Sequence, residues 1–290
     1  MRFKKTVSLL VLCIIVLSLA ASVYGVFSNQ GPGQYEFKSL HGQAVKIYGK
    51  GLYRYDSVST AVQAIAQDKV TLFLGIPLLT VSLFLSRKGL LKGRLLLAGT
   101  LGYFLYTYAS YSFLSMYNPL FLIYVMLLSV SFFAFTLTMM SFDMEKLGLC
   151  FNRKLPVKFL GGFLLFVATA IAAMWLGRIV PPLMNGTVPA ELEHYTTLVI
   201  QALDLGFVVP VAILSGALVI RRNAFGYLLA SVVMVKGITM LTAITAMIIG
   251  MATAGVKVGY AEMILFPLFN IVAIYCTVLI MKGIREPGYH

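Results

Sequence analysis

The chain has 290 residues, 60% of them hydrophobic and 11% charged. A typical soluble domain carries about 25% charged residues, so a water-soluble fold would leave too much apolar surface uncovered, and the excess has to face lipid. The apolar residues come in runs of about 20, the length a helix rising about 1.5 Å per residue needs to cross a hydrocarbon core of about 30 Å. The alternation of a transmembrane barrel is missing. These features predict an all-α, polytopic transmembrane helix bundle of about eight spans, with the lipid bilayer as its first partner. The net charge of +13 is scattered over short loops. It forms no continuous basic patch with interleaved aromatics, so nucleic acid is not expected as a partner and the charge reads as a topology signal.

The first span, 7–27, follows the basic start Arg2, Lys4 and Lys5. Ser18-Leu19-Ala20 offers small residues for signal cleavage, but the apolar run is longer than the roughly 7–15 residues of a usual signal core, which favours a retained helix. Cleavage would leave seven spans. The outer connection, 28–69, opens with the only long polar stretch, and Gly31-Pro32-Gly33 with Tyr48-Gly49-Lys50-Gly51 marks an irregular loop. Asp56 or Ser57 is placed to cap an amphipathic helix through Gln63, Gln67 and Asp68, lid-like above the bilayer, that runs into the second span at 70–86. The third and fourth spans, 95–116 and 120–140, form a tight hairpin in which Asn118 caps and Pro119 takes the first helical turn. The remaining spans are 159–180, 196–220, 224–251 and 261–281. No internal sequence repeat relates the halves, and 1–290 reads as one integral membrane domain.

Placing the N-terminus in the cytoplasm puts 15 of the 23 Lys and Arg residues on inner segments. Seven fall outside, five of them in or just after the long connection, and Lys236 lies within a span. This distribution follows the positive-inside rule and predicts a multi-pass plasma (inner) membrane protein with both termini cytoplasmic.

Ionisable groups deep in a span are costly, and they usually face the bundle interior, where they pair or line a polar cavity. Asp204 lies in the sixth span with Gln201 one turn earlier, Lys236 lies in the seventh, and Glu262 sits just inside the outer end of the eighth. At about 1.5 Å per residue from Arg221 and Arg222, Asp204 and Lys236 reach similar depths, so an ion pair is expected in the outer half of the membrane. Tyr103 and Tyr106 belong to a hydroxyl-rich third span and are expected to line the same pocket, while Tyr117 and Trp175 suit an interfacial belt. Pro77, Pro210 and Pro267 interrupt the second, sixth and eighth spans, and transporters often build sites at such breaks.

These residues suit a pocket that binds or moves a small solute or ion. They equally suit a structural pair in a non-catalytic accessory or scaffold subunit with a protein partner. The chain carries no HExxH, GxSxG or Walker motif, so an enzyme, acting on lipid, is the third and least expected reading. Cys13, Cys150 and Cys276 lie in or beside separate segments without a CxxC pair, which predicts neither a disulfide framework nor a metal site. The sequence leaves any cofactor unknown.

Overall fold

The computed structural model describes residues 3–286, so Arg2 of the basic start lies outside the described residues. Eight long helices account for most of them: α1 (Lys4–Phe27), α2 (Val58–Arg87), α3 (Leu91–Leu114), α4 (Phe121–Met139), α5 (Val157–Met184), α6 (Val199–Ile220), α7 (Ala224–Thr253) and α8 (Tyr260–Gly283). Seven of these are long and apolar enough to cross a membrane. The exception, α3, is long enough but rich in Tyr, Ser, Thr and Gly, and more than half of its residues are buried between neighbouring helices. A helix wrapped by others presents little surface to lipid, so its hydroxyls can find partners inside the bundle.

The long connection is more ordered than an irregular loop. Tyr35–Lys38 (β1) pairs antiparallel with Ala44–Ile47 (β2), from Tyr35 opposite Ile47 to Lys38 opposite Ala44. Of the two capping residues expected for the next helix, Ser57 caps it by accepting from the Thr60 N–H at 3.1 Å. Helix α2 then runs unbroken from Val58 and packs its lower-numbered turns on α7, where Ser59 Oγ meets Met251 Sδ at 3.8 Å. At the α3–α4 hairpin, Asn118 Oδ1 accepts from the Leu120 N–H at 2.9 Å. The helix itself begins only at Phe121, so Pro119 sits in the turn and not in the helix.

Although no repeat is visible in the sequence, the structure repeats its first four long helices in its last four. In each set a long helix is followed by a connection, a helix containing one widened turn, a three-residue turn, a central helix, a six-residue turn and a final helix. The widened turns span Thr71–Gly75 and Asp204–Val208, closed by Ile76 N–H to Thr71 O and Val209 N–H to Asp204 O. A proline, Pro77 or Pro210, follows each at the same distance. Lacking an N–H and clashing with the preceding turn, proline is tolerated because the i to i+5 bond re-spaces the ladder.

At one constant offset, the correspondence continues residue by residue. The buried face of α2, Leu79, Ser82, Leu83 and Ser86, matches Ala212, Ser215, Gly216 and Val219 of α6. Both helices end in a left-handed residue, Gly89 (φ 87°) and Arg222 (φ 56°), whose N–H groups reach Ser86 O and Val219 O at 3.0 Å. Gly93 and Gly226 then stand where a Cβ would strike the backbone of the preceding helix, at Leu85–Ser86 and Leu218–Val219 respectively. These contacts fix two equivalent close-packed hairpins, α2–α3 and α6–α7. The central helices α3 and α7 pack on each other and join the halves, with Gly99 seated against Val232 and Val235.

The chain end contributes one further clamp. The Leu91 and Lys92 N–H groups donate to Glu286 Oε2 and Oε1 at 2.7 and 3.0 Å, so a carboxylate from beyond α8 caps the start of α3.

Equivalent glycines should behave alike. Gly93→Val and Gly226→Val are each expected to lower the melting temperature of the detergent-solubilised protein by roughly 5–10 °C. Gly162→Ala in α5, where a Cβ meets nothing, should be neutral or stabilise by up to about 1 kcal/mol. Tolerance of valine at Gly93 or Gly226 would contradict the shared packing.

Candidate functional site

Asp204 opens the widened turn of α6 and is met by three other helices. Tyr106 of α3 donates its hydroxyl to Oδ1 at 2.7 Å, and Trp175 of α5 donates its indole N–H to Oδ2 at 2.9 Å. Lys236 of α7 places its ammonium 4.2 Å from the centre of the Tyr106 ring. Sequence alone predicts an Asp204–Lys236 ion pair, direct or through a single water. Among the described residues no such pair lies within 4 Å, because Tyr106 stands between the two charges, offering its face to the cation and its hydroxyl to the anion. Gly102, one turn before Tyr106, leaves room for the lysine stem, with Lys236 Cγ 3.7 Å from where a Cβ would be. Among the described residues the Lys236 ammonium has no hydrogen-bond acceptor, whereas both Asp204 oxygens are occupied.

Trp175 is therefore a ligand of the carboxylate and not a member of an interfacial belt. The other expected members are distributed differently. Gln201 is buried at the start of α6 and shares none of Asp204's partners. Glu262 pairs with Arg178 of α5, and Arg178 also reaches Glu191 at 3.5 Å. The Arg178 guanidinium lies 5.5 Å from the Trp175 ring centre, so this ion-pair cluster borders the Asp204 site through the indole without joining it.

Tyr103 belongs to the other half of the repeat. Its hydroxyl contacts Thr71 Oγ1 at 2.9 Å and accepts from the Gln67 side-chain amide at 2.8 Å. At the constant offset of the repeat, Thr71 corresponds to Asp204 and Tyr103 to Lys236. The first half thus holds a neutral hydroxyl pair where the second half holds two charges. A sequence reading finds the charges but misses this equivalence, since no residue identity carries it.

Sequence reasoning also misses two buried carboxyls. Asp68, placed by its sequence context on a helix projecting above the bilayer, is 2% exposed inside the bundle. Asp56, expected as a cap, accepts from the Met116 N–H at 2.9 Å and the Tyr195 hydroxyl at 3.0 Å, both at Oδ1. Around it Ser57 donates to Glu193, and His194 contacts Tyr55 O at 3.0 Å, so the 190–195 segment is fastened to the long connection. A groove of about 340 Å³ lies beside this junction, lined in part by Gln34, Lys46, Ser59 and Glu193, and neither Asp204 nor Lys236 reaches it.

Burial pushes the Asp56 carboxyl up to about 7, against the opposing effect of the Met116 and Tyr195 donors. A carboxyl raised above its unfolded value of about 3.9 lends stability that is complete below that value and is lost as pH rises to about 7. Asp56→Asn keeps the Oδ1 acceptor, so it should flatten this slope and raise the melting temperature at pH 8 by a few degrees. An unchanged pH profile would contradict the burial argument. No protein-family model matches this chain, and comparisons with curated proteins and with solved structures return no match.

Proposed function

We propose that this multi-pass membrane protein binds, and moves across the plasma membrane, a small solute or ion at the seam between its two halves. The observation that carries the reading is the Lys236 ammonium, held by an aromatic face and lacking any acceptor of its own among the described residues. An ammonium in a bundle interior is costly to leave without an acceptor, and an acceptor group on a solute would supply one. Three further features support the reading. Tyr106 comes from the first half while Asp204 and Lys236 come from the second. Asp204 sits on a widened, proline-marked turn of the kind often found at functional positions. Parallel repeats in transporters commonly enclose their substrate between the halves. Counting the enclosed α3 with the seven apolar helices makes the number of crossings even, and together with the basic turns Arg87-Lys88 and Arg221-Arg222 this favours cytoplasmic termini.

One observation favours the accessory-subunit reading: both Asp204 oxygens are already satisfied within the chain, as a purely structural cluster requires.

A thermal-shift screen of small anionic, zwitterionic and neutral solutes on the purified protein separates the two. A ligand present at about 100 times its Kd stabilises by about 2.7 kcal/mol, a shift of several degrees. The solute-binding reading expects such a hit in the wild type, and its loss in Lys236→Gln and Asp204→Asn proteins that still fold. A screen without hits, combined with a loss of yield in either single variant that an Asp204→Asn/Lys236→Gln double variant restores, would support the accessory role instead.

A further inference from the structure

Asp68, one turn before the widened turn of α2, is the most deeply isolated charge in the first half. It is 2% exposed, and no Lys, Arg or His side chain pairs with it among the described residues. Tyr53 donates to its Oδ2 at 2.6 Å. Tyr111 supplies less than its position suggests. Its single hydroxyl proton is shared between Ala64 O at 2.9 Å and Asp68 Oδ1 at 3.2 Å, and the backbone carbonyl is the closer acceptor. Helix α1 comes right up to the carboxyl, since any Cβ on Gly25 would collide with Oδ2.

Three hydroxyls around this carboxyl close no hydrogen bond of normal geometry: Ser22 on α1, one turn before Gly25, Tyr108 on α3 and Tyr124 on α4. They are 0%, 1% and 1% exposed. Ser22 is close to both Asp68 and Tyr108, Tyr124 is close to Tyr53, and the two unbonded tyrosines both feel the Asp68 charge, so each contact is weaker than a full hydrogen bond. Buried hydroxyls almost always find partners, so three orphans around one uncompensated carboxyl mark a place for a guest. The guest has to satisfy oxygen lone pairs and cancel one negative charge. A water molecule does only the first, and a divalent ion would leave a buried surplus of charge.

We propose that Ser22, Asp68, Tyr108 and Tyr124 form a buried site for a single alkali cation between α1, α2, α3 and α4. All four side chains offer hard oxygen ligands, and the single carboxylate balances a single positive charge. The site is distinct from the Asp204 seam and does not depend on it. It adjoins the widened turn of α2, because Gln67, next to Asp68, donates to Tyr103, which contacts Thr71. Cation occupancy would therefore bind α1 to the kinked region of α2 and to the central helix.

The test is thermal unfolding of the full chain in detergent at pH 8, with sodium chloride titrated against N-methylglucamine chloride at constant ionic strength. The titratable groups facing Asp68 are Tyr53, Tyr103, Tyr108, Tyr111 and Tyr124, none of which carries positive charge. A saturable rise in melting temperature with sodium is expected. Ser22→Ala and Tyr124→Phe should each weaken the apparent sodium affinity roughly tenfold, and Asp68→Asn should abolish the dependence. The two hydroxyl deletions leave the charge in place and keep the test decisive if Asp68→Asn fails to fold. A wild-type melting temperature indifferent to sodium would overturn the proposal, as would a sodium effect left unchanged in Ser22→Ala and Tyr124→Phe. Stabilisation by acid alone, measured in an Asp56→Asn background, would overturn it too, by identifying a proton as the neutralising guest.

Discussion

A carboxylate among apolar helices has to be met by its neighbours, and Asp204 is met from three of them. Tyr106 and Trp175 occupy its two oxygens, and Lys236 balances its charge across the Tyr106 ring. Leaving such a group unmet costs several kcal/mol, more than the whole margin contributed by a typical surface contact. The requirement therefore fixes the rotation of α3, α5, α6 and α7 about their axes. Because Tyr106 belongs to the first half and the other three residues to the second, the same cluster sets how the halves meet. The close glycine contacts, Gly93 and Gly226 within each half and Gly99 between them, let the helices approach near enough for that geometry to form.

The repeat gives this cluster its meaning. Two hairpins with the same widened turn, the same left-handed exit and the same glycine contact differ at the polar positions around that turn. The first half keeps the uncharged pair Thr71 and Tyr103, and places its acid one turn earlier at Asp68. The second half has Asp204 and Lys236, with the amide of Gln201 at the position equivalent to Asp68. The scaffold is alike in its backbone and unlike in its charges, with an acid and a lysine at the seam and a lone acid in the first half.

The fold class was legible because runs of apolar residues near the length of a bilayer have few other uses, and the basic turns supported an orientation. Asp204 and Lys236 were legible for a related reason: a charge within an apolar run stands out. What joins them was not legible, because Tyr106 is one of several tyrosines on α3, and only three-dimensional placement selects it. The partner of Glu262 was not legible either, since Arg178 comes from another helix at a distance no local pattern encodes. Asp68 was read as lying above the membrane because it sits among polar residues in sequence. Its burial comes from α1, the long connection and α3 closing around it. The repeat escaped notice because backbone geometry conserves it through only a few identities, chiefly Pro77 with Pro210, Ser82 with Ser215, and Gly93 with Gly226.

Solute binding as proposed requires the seam at Lys236 to be open to an aqueous solute and not sealed as a structural joint. It is tested most directly by placing a cysteine at that position in a protein whose three native cysteines have been replaced, and exposing intact membranes to 2-aminoethyl methanethiosulfonate. Reaction with Lys236→Cys attaches an ammonium close to where the lysine's own had been. An open seam should allow modification by this water-soluble reagent and recovery of the melting temperature lost on substitution. A Lys236→Cys thiol that stays inert to the charged reagent in the folded protein, yet reacts with membrane-permeant N-ethylmaleimide, would contradict it.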